Sequence, residues 1–136
     1  MTDESERLDI AIEDDIVRAR QRARELARSL GFGLVDQSRI ATAVSELTRN
    51  VVRYATDSRG EVRMRALSGG GRVGLEIVVS DEGPGIADID EAMQAGFTSG
   101  TGLGMGLPGA RRLMDEMTIN SAHGRGTIVT IRKWRR

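Results

Sequence analysis

ELTRNVVRYA, Glu46–Ala55, is the stretch on which the reading of this chain turns. Ile40 and Val44 before it, and Leu47 and Val51 within it, recur at helical spacing, so a helix opened by Asp36 carries the stretch. Glu46 and Asn50 are four residues apart and share one face, beside the apolar stripe rather than on it. Arg53, one turn further on, points the same way. A carboxylate there is able to serve as a general base, and an amide oxygen is a hard ligand suited to Mg²⁺. Taken alone, the pattern equally fits a solvated face with a helix-stabilising pair. The choice rests on what else the chain brings to that helix.

Two glycine-rich stretches downstream supply the context. DEGPGI, Asp81–Ile86, places a carboxylate where a strand ends, and Gly83 and Gly85 permit a tight turn with close ligand approach. Such a carboxylate accepts a hydrogen bond from an exocyclic amine of the kind adenine carries. GTGLGMGLPGA, Gly100–Ala110, leaves backbone amides at Gly102, Gly104 and Gly106 uncovered just before a helix, an arrangement suited to phosphate oxygens. Within it GMGLPG matches G-x-G-x-x-G, but no strand precedes it and no acidic residue follows at the distance a dinucleotide site needs, so that reading is rejected. A phosphate-loop motif is absent, and Lys133 is the sole lysine.

Composition bounds the rest. A chain of 136 residues, 39% hydrophobic and 29% charged, is sized for one domain with one core. We read residues 1–6 as a flexible N-terminus and residues 7–136 as a single domain. Aromatics are only 3%, so Leu, Ile, Val, Ala and Met must build that core. Twenty basic and twenty acidic residues cancel, which gives no argument for nucleic acid or membrane binding. Without cysteine there are no disulfides, thiol nucleophiles or thiolate metal sites. The acidic N-terminus lacks signal-peptide character and no apolar run reaches membrane-spanning length, so a cytoplasmic protein is expected.

Leu8, Ile10 and Ile12 alternate as a half-buried strand, and Asp14 or Asp15 then caps a helix that Gly31 and Gly33 stop. Arg18, Arg20, Arg22, Arg24 and Arg28 crowd that helix, either as a solvated face or as a docking surface for an acidic partner. The basic tail KWRR carries the same ambiguity. GEVRMRAL and RVGLEIVVS read as strands joined by a glycine turn at Ser68–Gly71. A short helix over Asp88–Ala95, a third helix over Leu107–Met117, and the strands MTINSA and GTIVTIRKW, joined by a turn at His123–Gly126, complete the order. These elements predict an α+β fold, a two-layer α/β sandwich with a mixed sheet and helices on one face.

ELTRNVVRYA, DEGPGI and GTGLGMGLPGA resemble, in order, the N, G1 and G2 boxes of the GHKL ATP-binding superfamily, the Bergerat or histidine-kinase-like ATPase fold. HGRGT, His123–Thr127, is similar to its closing G-x-G-T element. Within the superfamily the boxes look most like bacterial anti-sigma-type serine/threonine kinases, in particular stressosome switch kinases. The resemblance implies ATP and Mg²⁺ as cofactors, Glu46 as catalytic base and Asn50 as Mg²⁺ ligand. It implies Asp81 on the adenine amine, Gly83 and Gly85 shaping that pocket, backbone amides of Gly102, Gly104, Gly106 and Leu107 over the phosphates, and Thr127 supporting the adenine end. No Arg or Lys lies between Gly83 and Ala110, so charge compensation would fall to Mg²⁺, backbone amides and Arg49 or Arg53. His123, in a glycine turn, is not expected to be catalytic.

Three functions remain open on these grounds. The first is a stress-pathway kinase that phosphorylates a STAS-domain protein and, once released, activates a PP2C-type phosphatase. The second is an anti-sigma factor that sequesters a sigma factor and phosphorylates an anti-anti-sigma protein. The third is a nucleotide-gated binding module without turnover.

Overall fold

Gly70 and Gly71 take φ of 58° and 76°, the left-handed conformation of a two-residue hairpin turn, and they join the two longest strands. Around this hairpin the computed structural model describes residues 5–54, 59–82, 107–121 and 126–136. The elements run β1 (Glu6–Ile10), α1 (Glu13–Ser29), α2 (Leu34–Tyr54), β2 (Gly60–Gly69), β3 (Arg72–Asp81), α3 (Leu107–Leu113), β4 (Glu116–Ser121) and β5 (Thr127–Trp134). The expected helix at Asp88–Ala95 lies outside the described residues. Glu6, expected in the flexible N-terminus, is already part of β1, and on the helix side of the sheet its carboxylate takes Arg22 of α1.

The five strands form one sheet in the order β1-β2-β3-β5-β4, and every described pairing is antiparallel. The expected mixed sheet is therefore corrected to an antiparallel one. A single helix between neighbouring strands would return the chain parallel. Here α1 and α2 run out and back together, so β2 starts at the end where β1 stopped, Ile10 facing Gly60. Among the described strands β4 pairs with β5 alone, which separates it from β3.

Side chains alternate across the sheet as the strand period demands. One face carries Ile10, Val62, Met64, Leu75, Ile77, Val79, Val129 and Ile131 into a core shared with α1, α2 and α3. On α1 the buried positions include Ala19, Ala23 and Ala27, a small-residue ridge at i, i+4 that lets α1 lie close against α2. The opposite face is polar. Glu76 accepts from Arg65 and Arg132, both at 2.7 Å, and Arg132 also pairs with Glu116. Burial pushes the Glu76 carboxyl up, but its two arginine hydrogen bonds outweigh that and hold it below the usual carboxylate range.

Three boundaries differ from expectation for local reasons. Ile12 is outside β1 and exposed, because the amides of Ala11 and Ile12 donate to the Asp15 carboxylate at 2.8 and 3.0 Å. Asp15 thus caps α1 from within its first turn, and the helix begins at Glu13. Glycine ends it as expected: Gly31 at φ 90° follows the cap residue Leu30. α3 stops at Leu113 rather than Met117, because Asp115 is drawn onto the sheet. Its amide donates to the Arg132 carbonyl at 3.0 Å, and its carboxylate accepts from the Trp134 amide at 2.8 Å.

Lys133 does not join an exposed basic tail. It lies 5% exposed on the helix side of β5, donates to the Leu113 carbonyl at 2.9 Å, and sits 3.7 and 3.6 Å from Asp36 and Asp115. One ammonium therefore fastens the start of α2, the end of α3 and the start of β4.

Candidate nucleotide-binding site

Register aligns a single row across the whole helix-facing side of the sheet: Ile10, Gly60, Asp81, Thr127 and Ser121, one residue from each strand. Asp81 stands at its centre, half-buried, as the last residue of β3. Thr127, the first residue of β5, is its direct neighbour. The Thr127 hydroxyl lies 2.9 Å from that of Ser121, which also bonds to the Gly126 carbonyl at 2.9 Å.

Two glycines make this row possible. Gly126 has φ 83°, and a Cβ there would lie 2.2 Å from the Asp81 carbonyl oxygen. Only glycine lets β5 begin so close to the end of β3. At Gly60, a Cβ would lie 2.6 Å from Cγ1 of Val51 and 2.5 Å from the Ser80 carbonyl. The bare strand position receives Val51 of α2, which seats the last turns of that helix over the strand next to Asp81.

Those turns carry the polar face expected from the sequence. At about 100° per residue, Glu46, Arg49, Asn50 and Arg53 fall within roughly 100° of arc, adjacent to the buried stripe of Ala43, Leu47 and Val51. Glu46, Arg49 and Asn50 are half-buried and Arg53 is exposed. Arg49 approaches Glu46 at 3.5 Å, with side-chain exposures of 36% and 37%. A pair so solvated contributes little, about 0.3–0.5 kcal/mol, so either partner is readily given up to a ligand.

The structure thus brings Glu46, Arg49, Asn50 and Arg53 on α2 to the end of the sheet that holds Asp81 and Thr127. Leu107 opens α3, which packs against α2, and its side chain is buried. Gly83, Gly85, Gly102, Gly104 and Gly106 lie outside the described residues, as does His123. Gly60 and Ser121 were not anticipated. The available signals were a glycine opening an otherwise β-forming run, and a serine that continues the inward alternation of Met117 and Ile119.

The Asn50 amide oxygen, a hard ligand, would suit Mg²⁺ brought by a nucleotide. Among the described residues no group of three or more His, Cys, Asp or Glu could cage a metal. Asn50 would be the residue that holds the ion, and the ion would supply charge neutralisation at the phosphates.

The profile of the family described as the histidine kinase-like ATPase domain matches residues 11–133. The chain is 50% identical to the serine/threonine-protein kinase RsbT of Bacillus subtilis over 127 residues, covering 93% of this chain and 94% of that one. It is 35% identical to the anti-sigma F factor of Thermoanaerobacter sp. over 99 residues, 70% of this chain and 68% of that protein. In fold it is similar to the mycobacterial sensor histidine kinase MprB, with a TM-score of 0.57 at 22% identity and coverage of 98% and 99%. The catalytic domain of the histidine kinase ThkA superposes with a TM-score of 0.54 at 16% identity, covering 94% of this chain and 95% of that domain. The chain belongs to the histidine kinase-like ATPase family, on its serine/threonine protein kinase side.

Proposed function

We propose that the chain is an ATP- and Mg²⁺-dependent serine/threonine kinase of a partner-switching pathway, acting in the cytoplasm on a STAS-domain regulatory protein. After release from that substrate it would activate a PP2C-type phosphatase. The observation that carries this reading is the meeting of the Glu46/Asn50 face of α2 with the Asp81–Thr127 end of the sheet, in a chain half identical to a serine/threonine kinase.

Asp81 would accept the adenine amine, and Thr127, held by Ser121, would support the same end of the base. Asn50 would ligate Mg²⁺, which supplies charge neutralisation at the phosphates when bound. Glu46 would orient the attacking hydroxyl and accept its proton as the hydroxyl oxygen bonds to the γ-phosphorus and the bridging oxygen departs with ADP. Arg49, released from Glu46, and Arg53 would offset charge that a stretch without Lys or Arg between Gly83 and Ala110 does not.

The test is incubation with γ-labelled ATP, Mg²⁺ and a purified STAS-domain partner. We expect label on a partner hydroxyl, and loss of transfer with retained ATP binding in Glu46→Gln. Undiminished transfer by that variant removes Glu46 as the base. The anti-sigma relatives favour a second reading, in which the chain also sequesters a sigma factor; stoichiometric capture of purified sigma factor in the presence of ATP would select it. ATP binding without transfer to either class of partner would select the non-catalytic module.

A further inference from the structure

At the opposite end of α2 the surface has a different character. Leu34 and Val35 are 81% and 63% exposed, side by side in the first turn of the helix. They line a mainly apolar depression of about 370 Å³ with Ser38, Arg39, Thr42 and Leu113 of α3. Two large aliphatic side chains this exposed forfeit burial worth about 1.5–3 kcal/mol each. Neither has a place in the site above. From Leu34 to Asn50 α2 rises roughly 24 Å, and Thr42, the lining residue nearest the proposed nucleotide end, lies one turn before Glu46.

Its rim is cationic. Arg24 reaches in from α1 to the Ser38 hydroxyl at 3.4 Å, Arg39 borders the depression, and Arg111 and Arg112 are exposed on α3 just before Leu113. The Asp36 carboxylate, 16% exposed, is held by Arg39 at 3.2 Å and Lys133 at 3.7 Å, which leaves the exposed Arg24, Arg111 and Arg112 uncompensated by it. Charge presented to solvent around the apolar floor is therefore positive.

We propose that this depression docks an acidic helical segment of a partner protein. One apolar side chain of that segment seats among Leu34, Val35 and Leu113, and its carboxylates meet Arg24 and Arg39. Helix-in-groove recognition uses this pairing of an apolar anchor with charged flanks. A membrane surface fits less well, because interfacial helices spread apolar residues along their whole length, whereas here they occupy one turn. The site does not depend on phosphoryl transfer, since it shares no residue with the proposed nucleotide end.

The test titrates the ¹⁵N-labelled full chain with a short helical peptide that carries Leu on one face and Glu elsewhere, and with the same peptide bearing Lys for Glu. The Glu peptide should shift the amides of Leu34, Val35, Ser38, Arg39, Thr42 and Leu113. Leu34→Ser/Val35→Ser should bind it about tenfold more weakly, with ATP-induced shifts unchanged. Arg24→Glu/Arg39→Glu should invert the preference toward the Lys peptide. Equal binding of both peptides, shifts centred elsewhere, flotation of the chain with phosphatidylglycerol vesicles, or self-association lost in Leu34→Ser/Val35→Ser would each overturn the proposal.

Discussion

The two ends of the helix layer are built on opposite principles. At the Lys133 end the inward-facing charges are absorbed: one buried ammonium joins α2, α3 and β4, and Asp115 also takes Arg136 and the Trp134 amide. At the Asp81 end, polar side chains of α2 stand half-exposed, and the Glu46–Arg49 contact is long and solvated. An end whose polar groups satisfy one another stabilises the fold. The Asp81 end holds half-exposed polar groups in register, as the proposed ligand site requires. Substitutions at the two ends should therefore separate, one set changing stability and the other changing chemistry.

The largest expected effect is chemical. Glu46→Gln should lower phosphotransfer by about 10²–10⁴-fold, the scale of a lost general base, with the unfolding midpoint unchanged. A quenched-flow phosphotransfer assay beside urea denaturation measures both, and a lowered midpoint would place Glu46 with the structural end instead. Next comes a structural defect at the chemical end. Gly126→Ala must relieve both a left-handed φ and a 2.2 Å approach to the Asp81 carbonyl, so about 3 kcal/mol of stability should be lost together with ATP affinity.

Lys133→Met probes the other end. It removes the ammonium but leaves Arg39 on Asp36 and Arg136 on Asp115, so a loss of about 2 kcal/mol is expected, below that of a fully stranded buried charge. ATP affinity of the folded variant should match wild type, and an equal loss of affinity would erase the distinction between the ends. The smallest effect belongs to the open sheet face, where Arg63→Ala deletes a solvated contact with Glu61 and should change stability by less than about 0.5 kcal/mol.

Acid should act on the structural contacts first. The Glu6 carboxyl is lowered by its hydrogen bonds from Arg22. Burial raises Asp115, but the Trp134 amide, Lys133 and Arg136 together outweigh it. Glu76 is depressed as described above. Each is more easily ionised folded than unfolded, so the unfolded chain binds more protons in acid. This stability is complete above the unfolded carboxylate values of about 4 and is lost as pH falls through the lower folded ones. Urea midpoints from pH 6 downward should stay level until about pH 4 and then decline; a decline beginning near pH 6 would point to a different group.

Much of this architecture was legible because it follows period and punctuation. The spacing of Ile40, Val44, Leu47 and Val51 placed α2, alternation placed the strands, and the glycines of Ser68–Gly71 placed the hairpin. Strand direction was not legible, since pairing partners depend on how α1 and α2 fold back over the sheet. The Lys133 cluster was hidden for the same reason. Asp36, Asp115 and Lys133 are far apart in sequence, and a lone lysine beside two arginines reads as a solvated tail. Of the proposed site, Glu46, Asn50 and Asp81 could be singled out because the chemistry suggested for them is local. Gly60 could not, because its role is an empty space for Val51 that exists only when helix and strand meet.

In the proposed site, Asp81 and the Glu46 face of α2 serve one ligand in different ways. Calorimetric titration of ATP·Mg²⁺ into wild type, Asp81→Asn and Glu46→Gln tests it most directly. ATP affinity should fall at least about tenfold in Asp81→Asn, the scale of one lost charge-assisted hydrogen bond, and stay near wild type in Glu46→Gln. Wild-type affinity in Asp81→Asn would contradict it.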